Sequence, residues 1–230
     1  MLFRSEKRVI AAQKKARGND KEAKAELGVM EPVLAALRDG KSARTVSLDA
    51  EQRQILKRLQ LISAKPVLYI CNVEETAAAT GNAQSARVAE YAKAQGAEMV
   101  VVSAAIEAEV AQLQDEAEKR EFLETLGLEE AGLTRVIRAG YHLLDLVTFL
   151  TVGPKEARAW TVRRGSKAPE AAGVIHTDFE KGFIRAETIS YADFVACGGE
   201  QGAKDAGKMR LEGAEYVVQD GDILHFRFNV

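Results

Sequence analysis

The residues from Val67 to Val73 are apolar except for Asn72 near the exit, and the polar pair Glu74-Glu75 follows. A run of this length predicts a strand covered on both faces, as in a parallel sheet flanked by helices. From Ala83 to Gln95 the spacing turns helical, with Val88, Tyr91 and Ala92 on one face and Gly96 as the stop. Met99 to Ala105 is a second apolar run that ends in a small polar loop. Strand, helix and strand make one βαβ unit, whose strand ends Asn72–Glu75 and Ser103–Ala105 lie side by side.

Upstream, Leu2 to Arg17 is a basic helical stretch with no capping residue before it. Gly18-Asn19-Asp20 reads as a turn with Asp20 capping the next helix, where Leu27, Met30, Leu34 and Leu37 recur at spacings of three and four. Pro32 inside this run predicts a kink. Asp49 with Gln52 predicts a reciprocal cap on a third helix bearing Ile55, Leu59 and Ile62. This apolar surface suffices for an antiparallel coiled coil of two helices and not for an independent core, so residues 1–62 are expected to form an arm. Residues 63–146 carry the βαβ unit and then helices at Ile106–Gln114, Glu116–Leu126 and Glu129–Leu146, the last with Val136, Ile137, Leu143 and Leu144 on a broad apolar face.

Beyond residue 146 the period changes to two. Strands are predicted at Val147–Val152 and Ala157–Val162 around Gly153-Pro154, a short helix at Pro169–Val174, and strands at Phe183–Ile189, Tyr216–Gln219 and Ile223–Phe228. The last two are joined by Asp220-Gly221-Asp222. A strand pair, a helix and further strands within residues 147–230 predict a β-grasp, ubiquitin-like domain.

Charge changes this picture. Residues 1–65 hold 15 Lys and Arg against 8 Asp and Glu, whereas residues 66–230 hold 17 against 26. A basic arm on an acidic body is a hint of a nucleic-acid partner, although exposed helices are also charged merely to stay soluble. No apolar run approaches a membrane span and no signal peptide opens the chain, so a cytoplasmic protein without a membrane partner is expected. Cys71 and Cys197 suggest neither disulfide nor metal, and His142, His176 and His225 are scattered singly.

The candidate chemistry lies at the strand ends. Ligands of open α/β sheets bind at the carboxyl edge, and Asn72 with Glu75 is a polar pair at that edge. An Asn just past a strand is also ordinary turn chemistry. Nothing in the chain reads Gly-x-x-x-x-Gly-Lys-Ser/Thr, the loop whose backbone N–H groups cradle phosphates.

Nearly end to end, the sequence resembles the carboxyl-terminal two-thirds of the YchF proteins, also called Obg-like or ribosome-binding ATPases, of the P-loop class. The resemblance is carried by Glu6-Lys7-Arg8, Gly18-Asn19-Asp20-Lys21-Glu22-Ala23, Lys65-Pro66-Val67-Leu68-Tyr69 and Asn72-Val73-Glu74-Glu75. It continues through Thr148-Phe149-Leu150-Thr151-Val152-Gly153, Ala157-Arg158-Ala159-Trp160, the long run Ile175 to Glu187, and Phe226-Arg227-Phe228-Asn229-Val230. It implies an α/β chain made of part of a P-loop nucleotide-binding domain (63–146), an inserted antiparallel coiled-coil arm (1–62) and a TGS domain of β-grasp fold (147–230).

In such proteins Asn-x-x-Glu goes with ATP over GTP. Asn72 would then face the base, Glu75 would either read it too or brace the loop, Val73 would add main-chain contact, and Ser103 with Ala104 would close the pocket. ATP or GTP with Mg²⁺ would be the cofactor of the complete protein, with no tight binding by this chain alone and no catalytic or metal-binding residue in it. The P-loop and switch segments precede the arm in the family, and a chain opening inside a helical stretch at Met1 points to truncation. Two functions stay open: the specificity and docking part of a ribosome-associated ATPase, or a non-catalytic RNA- or ribosome-binding module. In either, Lys7, Arg8, Lys14, Lys15 and Arg17 of the arm, and Arg163, Arg164, Lys167, Lys181 and Arg185 of the β-grasp domain, are the candidate phosphate contacts, with no DNA specificity expected.

Overall fold

The structure, a computed structural model, describes residues 2–229. Met1 and Val230, on which the truncated start and the last residue of the terminal motif fall, lie outside the described residues. The chain divides into two compact units, residues 1–139 and 140–230.

In the first unit α1 (Leu2–Arg17) and α2 (Lys21–Arg38) flank the predicted turn. Asn19 takes a φ of 65°, in the left-handed region that Asn tolerates better than most residues. The Asp20 carboxylate accepts from the N–H groups of Glu22 and Ala23 at 3.0 and 3.1 Å. Pro32 lies inside α2, which continues to Arg38. At the start of α3 (Ala50–Arg58), Asp49 accepts from Gln52 N–H at 2.8 Å and the Gln52 side chain accepts from Asp49 N–H at 3.1 Å. The expectation that residues 1–62 lack a core is corrected: Val29, Met30, Val33 and Leu34 of α2 are buried in one cluster with Val9, Ala43, Leu56 and Leu59. α3 and a 3₁₀ turn at Ala43–Thr45 pack against α2 and close the side that a two-helix seam leaves open.

β1 (Leu68–Asn72) and β2 (Glu98–Val102) pair in parallel from Leu68↔Glu98 to Asn72↔Val102, with α4 (Ala83–Ala94) between them. The βαβ unit stands as predicted, but its strands are not covered on both faces, for Ile70 is 53 % exposed. Among the described residues these two strands pair only with each other, so the lateral strands and double helix layer that enclose a parallel strand are not in place. The core of this region, Ala78, Ile106, Leu123 and Leu128, is supplied by α5 (Ala104–Val110), α6 (Glu116–Thr125) and the loops around them.

The next helix, α7 (Gly132–Leu144), begins three residues later than predicted. Its start is set by a side chain distant in sequence: Glu107 accepts from Gly132 N–H at 2.6 Å and from Leu133 N–H at 3.0 Å. Two of the first-turn donors that a helix leaves unpaired are thus met. Ile137 and Leu144, expected on its apolar face, are exposed. Glu107→Ala is expected to destabilise this unit by about 1–2 kcal/mol, as for loss of a cap. Faster amide exchange at Leu133 and Thr134 would register it, and unchanged exchange there would refute the capping role.

The second unit is a mixed five-stranded sheet with helices. β3 (Leu146–Val152) and β4 (Ala157–Arg163) form an antiparallel pair, followed by α8 (Ala168–Ile175), α9 (Thr177–Lys181) and β5 (Phe183–Ser190). α10 (Tyr191–Ala196), α11 (Glu200–Asp205), the short β6 (Arg210–Glu212) and β7 (Asp222–Phe228) complete it. The strand order is β4-β3-β7-β5-β6, with β7 parallel to β3 and antiparallel to β5. Ala168, Ala171 and Ala172 let α8 approach one face closely, over Phe149, Val162, Leu224 and Phe226. Alternation sends Ile189 and Ile223 to the other face, under Phe194 and Ala203.

Two expectations fail here. Tyr216–Gln219 is not a strand; it makes one isolated bridge, Lys167↔Val217. Asp220-Gly221-Asp222 is not a hairpin connection but a clasp on β3, with Asp220 accepting from Thr148 N–H and Gly221 N–H donating to Thr148 C=O, both at 2.8 Å. Gly221 has a φ of 80°, which favours glycine. Asp222, 2 % exposed, accepts from Tyr216 Oη–H at 2.7 Å and Gln219 N–H at 2.9 Å. Burial first, and then the hydrogen bond to Asp222, push the Tyr216 phenol up to about 12. These side-chain bonds hold residues 216–222 where a ladder was expected.

Candidate functional site

Asn72 ends β1, and Ser103 follows β2 as the residue before α5. The parallel register brings the two together, and Asn72 Oδ1 accepts from Ala104 N–H at 2.9 Å. A main-chain N–H can be met only by the amide oxygen, which fixes the carboxamide and leaves its NH₂ as a donor on an exposed residue. The Ala104 N–H is therefore committed to Asn72, as the first turn of a helix needs acceptors.

The main-chain N–H of Val73 is likewise taken, by Val102 C=O at 2.9 Å, so its carbonyl is the main-chain group left for contact. Glu75 opens a 3₁₀ turn, Glu75–Ala77; it is exposed, and its carboxylate has no hydrogen-bond partner among the described residues. Bracing of the loop, the expected alternative role of Glu75, falls to Glu74. Glu74 Oε2 accepts from Asn82 Nδ2 at 3.1 Å, and Asn82 caps α4 together with Ser85. Sequence reasoning missed Glu74 and Asn82 as a pair; Asn82 directly before a helical period was the signal for the cap. Ser103 is 3 % exposed, and its Oγ has no partner among the described residues. Burial closes this hydroxyl off from solvent, and its hydrogen-bonding capacity is unused among the described residues.

The proposed phosphate contacts in residues 1–62 are exposed, but they are not equivalent. Arg8 is paired with Glu26 at 2.7 Å, and Lys7 also has a partner. Lys14, Lys15 and Arg17 have none among the described residues and lie in the last turn of α1. In the second unit Arg164 pairs with Asp145 at 3.4 Å and Lys167 with Glu215 at 2.5 Å, the latter raising the Lys167 ammonium above its usual range. Arg163 and Lys181 are exposed without a partner among the described residues, and Arg185, exposed and without an ion pair, acts on Glu187 through its charge. Arg185 stands opposite Arg227, whose guanidinium holds Glu187 at 3.1 Å through two nitrogens and keeps that carboxyl below the usual glutamate range.

A protein-family profile described as "YchF-GTPase_C: Protein of unknown function (DUF933)" matches residues 146–229. The ribosome-binding ATPase YchF of Haemophilus influenzae is 56 % identical over 225 residues, and that of Bacillus subtilis 51 % over 227. The solved structure of the Schizosaccharomyces pombe YchF GTPase superposes with a TM-score of 0.84 at 32 % identity, covering 98 % of this chain and 62 % of that one. The chain spans 61 % and 62 % of the length of the two bacterial relatives, less than two-thirds of either. With such identity across 98 % of its residues, the chain is homologous to the YchF proteins over the part of them that it spans.

Proposed function

We propose that this chain is the base-reading and docking portion of a ribosome-associated ATPase, built from a coiled-coil arm (1–62), part of a P-loop nucleotide-binding domain (63–146) and a TGS domain of β-grasp fold (147–230). The observation that carries the base-reading half is the Asn72–Ala104 hydrogen bond. With Oδ1 engaged, the Asn72 amide offers a donor, which suits N7, an acceptor common to adenine and guanine. Asn72 therefore selects purines, and the choice between them falls to Glu75 and the Val73 carbonyl. The Glu75 carboxylate accepts only, and adenine offers it one exocyclic amine, whereas guanine offers N1–H and N2–H₂. The names of the two bacterial relatives favour ATP.

A bound nucleotide would supply a phosphoanhydride, whose cleavage rests on a P-loop lysine and Mg²⁺ around the phosphates. This sequence holds no Gly-x-x-x-x-Gly-Lys-Ser/Thr, so its residues fit the base and not the phosphates. The purified 230-residue chain is expected to release no phosphate from ATP above a buffer control. Its ATP affinity should be weaker than roughly millimolar, because a few hydrogen bonds of about 1 kcal/mol hardly exceed the cost of immobilising a ligand. Turnover that survives removal of contaminating ATPases would overturn this assignment.

The docking half is supported by exposed cations without an ion pair among the described residues at Lys14, Lys15, Arg17, Arg163 and Lys181, and by the names of the relatives. Co-sedimentation of the chain with purified ribosomes tests it: pelleting is expected at low salt, and a chain that stays in the supernatant throughout would refute docking.

A further inference from the structure

We propose that the free edge of β4 is a docking site for an extended acidic peptide of a partner protein, which joins the sheet as a further strand. It needs neither the base reading nor the ribosome docking proposed above. In the order β4-β3-β7-β5-β6 the two edges differ. β6 is three residues long, whereas β4 is seven residues long and pairs with β3 from Leu146↔Arg163 to Val152↔Ala157 without a bulge.

The same ladder fixes which main-chain groups are left over. Arg164 N–H donates to Asp145 C=O at 2.7 Å at one end, and Gly153 N–H donates to Glu156 C=O at 2.9 Å at the other. In an antiparallel pair such positions alternate with ones whose main-chain groups point away from the partner strand. Arg158, Trp160 and Val162 therefore turn their N–H and C=O groups to β3, and Ala157, Ala159, Thr161 and Arg163 turn theirs outward. These four residues are exposed, and among the described residues no strand pairs with their outer side. Proline and bulges commonly shield a sheet edge, and β4 has neither. Ala157, Ala159 and Thr161 are too small to hold a second backbone at a distance.

Charge selects the occupant. Residues 155–164 hold Lys155, Arg158, Arg163 and Arg164 against Glu156, although residues 66–230 as a whole are acidic. Arg158 reaches Glu156 at 3.8 Å and Arg164 reaches Asp145 at 3.4 Å, while Lys155 and Arg163 have no ion pair among the described residues. A second copy of the chain would bring the same cations to the edge, and like charges facing each other across a ladder destabilise it. Phosphate oxygens of a nucleic acid would meet the N–H groups alone, whereas another main chain meets the alternating N–H and C=O groups together.

The test titrates the full chain by anisotropy with two fluorescein-labelled peptides of β4's length, one alternating Glu with Val and one alternating Lys with Val. The Glu-Val peptide should bind, and the Lys-Val peptide should bind about tenfold more weakly or worse. Ala159→Pro removes an outward N–H and sets a ring where the added strand would lie, so it should weaken the Glu-Val peptide by about tenfold or more. Ala159→Thr, which keeps the N–H, should bind as the parent does. An unchanged urea midpoint by Trp160 fluorescence shows that the proline variant folds. On the unsubstituted chain, the Glu-Val peptide should slow amide exchange at Ala157, Ala159, Thr161 and Arg163 more than at Trp160 and Val162, a readout that decides the matter even where the proline disturbs the sheet. Absence of binding by the parent, equal affinity for the two peptides, or exchange slowed only elsewhere would overturn the inference. A dimer in sedimentation equilibrium that Ala159→Pro dissociates would assign the edge to a second copy and overturn it as well.

Discussion

Asp222→Ala is expected to cost about 2–4 kcal/mol in residues 140–230, since it leaves two donors, Tyr216 Oη–H and Gln219 N–H, without their buried acceptor. The nearby Arg210 guanidinium adds little, because it lies 3.8 Å away with half of its side chain in solvent. Trp160 is the single tryptophan, packs against the core of this unit, and donates from Nε1 to Thr151 at 2.9 Å. Its fluorescence during urea unfolding therefore reports on this unit alone. Asp222→Asn, which keeps one acceptor oxygen, should lose about half as much. A midpoint unmoved by either substitution would show that the Tyr216–Asp222 network is not what anchors the loop.

Asn72→Ala is expected to weaken binding of ATP and GTP alike by about 1–3 kcal/mol, the cost of deleting a buried or ligand-facing hydrogen-bond partner. The measurement needs the phosphate-binding region, so the protein to use is this chain joined to the remaining portion of the Haemophilus influenzae relative. The parallel loss follows from N7 being present on both purines, and it separates Asn72 from Glu75 in function. Glu75→Asp should move preference toward GTP, while Val73, at 8 % exposure, is left alone because a lysine there would bury a charge. Dissociation constants unchanged in Asn72→Ala would return the Asn to ordinary turn chemistry and favour the second function considered from the sequence, an RNA- or ribosome-binding module with the nucleotide fold as scaffold.

What was legible in the sequence was local. Asp20, and Asp49 with Gln52, announce helix starts because a cap is satisfied within three residues. β1, α4 and β2 were legible because their periods differ and glycines punctuate them. The misreadings arise where distant residues decide. Tyr216–Gln219 has the pattern of a strand, yet its backbone is held by Asp222 and by the bridge to Lys167. Glu107 sets the start of α7 from 25 residues upstream, a relation no local motif records. At the candidate site, spacing singled out Asn72 and Glu75 together, but only geometry shows that Glu74 is the carboxylate in structural use. The core of residues 1–62 was missed because the third helix, though read, was not expected to pack across the two-helix seam, a tertiary contact that no local spacing records.

Among the described residues β1 and β2 pair only with each other, which bears on how the loop after β1 holds its shape in time. With α4 as its cover but no lateral strand among the described residues, this two-stranded ladder should exchange its amides through local opening more readily than the five-stranded sheet of the second unit. The Asn72–Ala104 bond lies at one end of that ladder and opens with it. A purine seated against Asn72 would then act as a clasp on the strands themselves, slowing deuterium uptake across Leu68–Asn72 and Glu98–Val102 while uptake in the strand that carries Phe149 stays as it was.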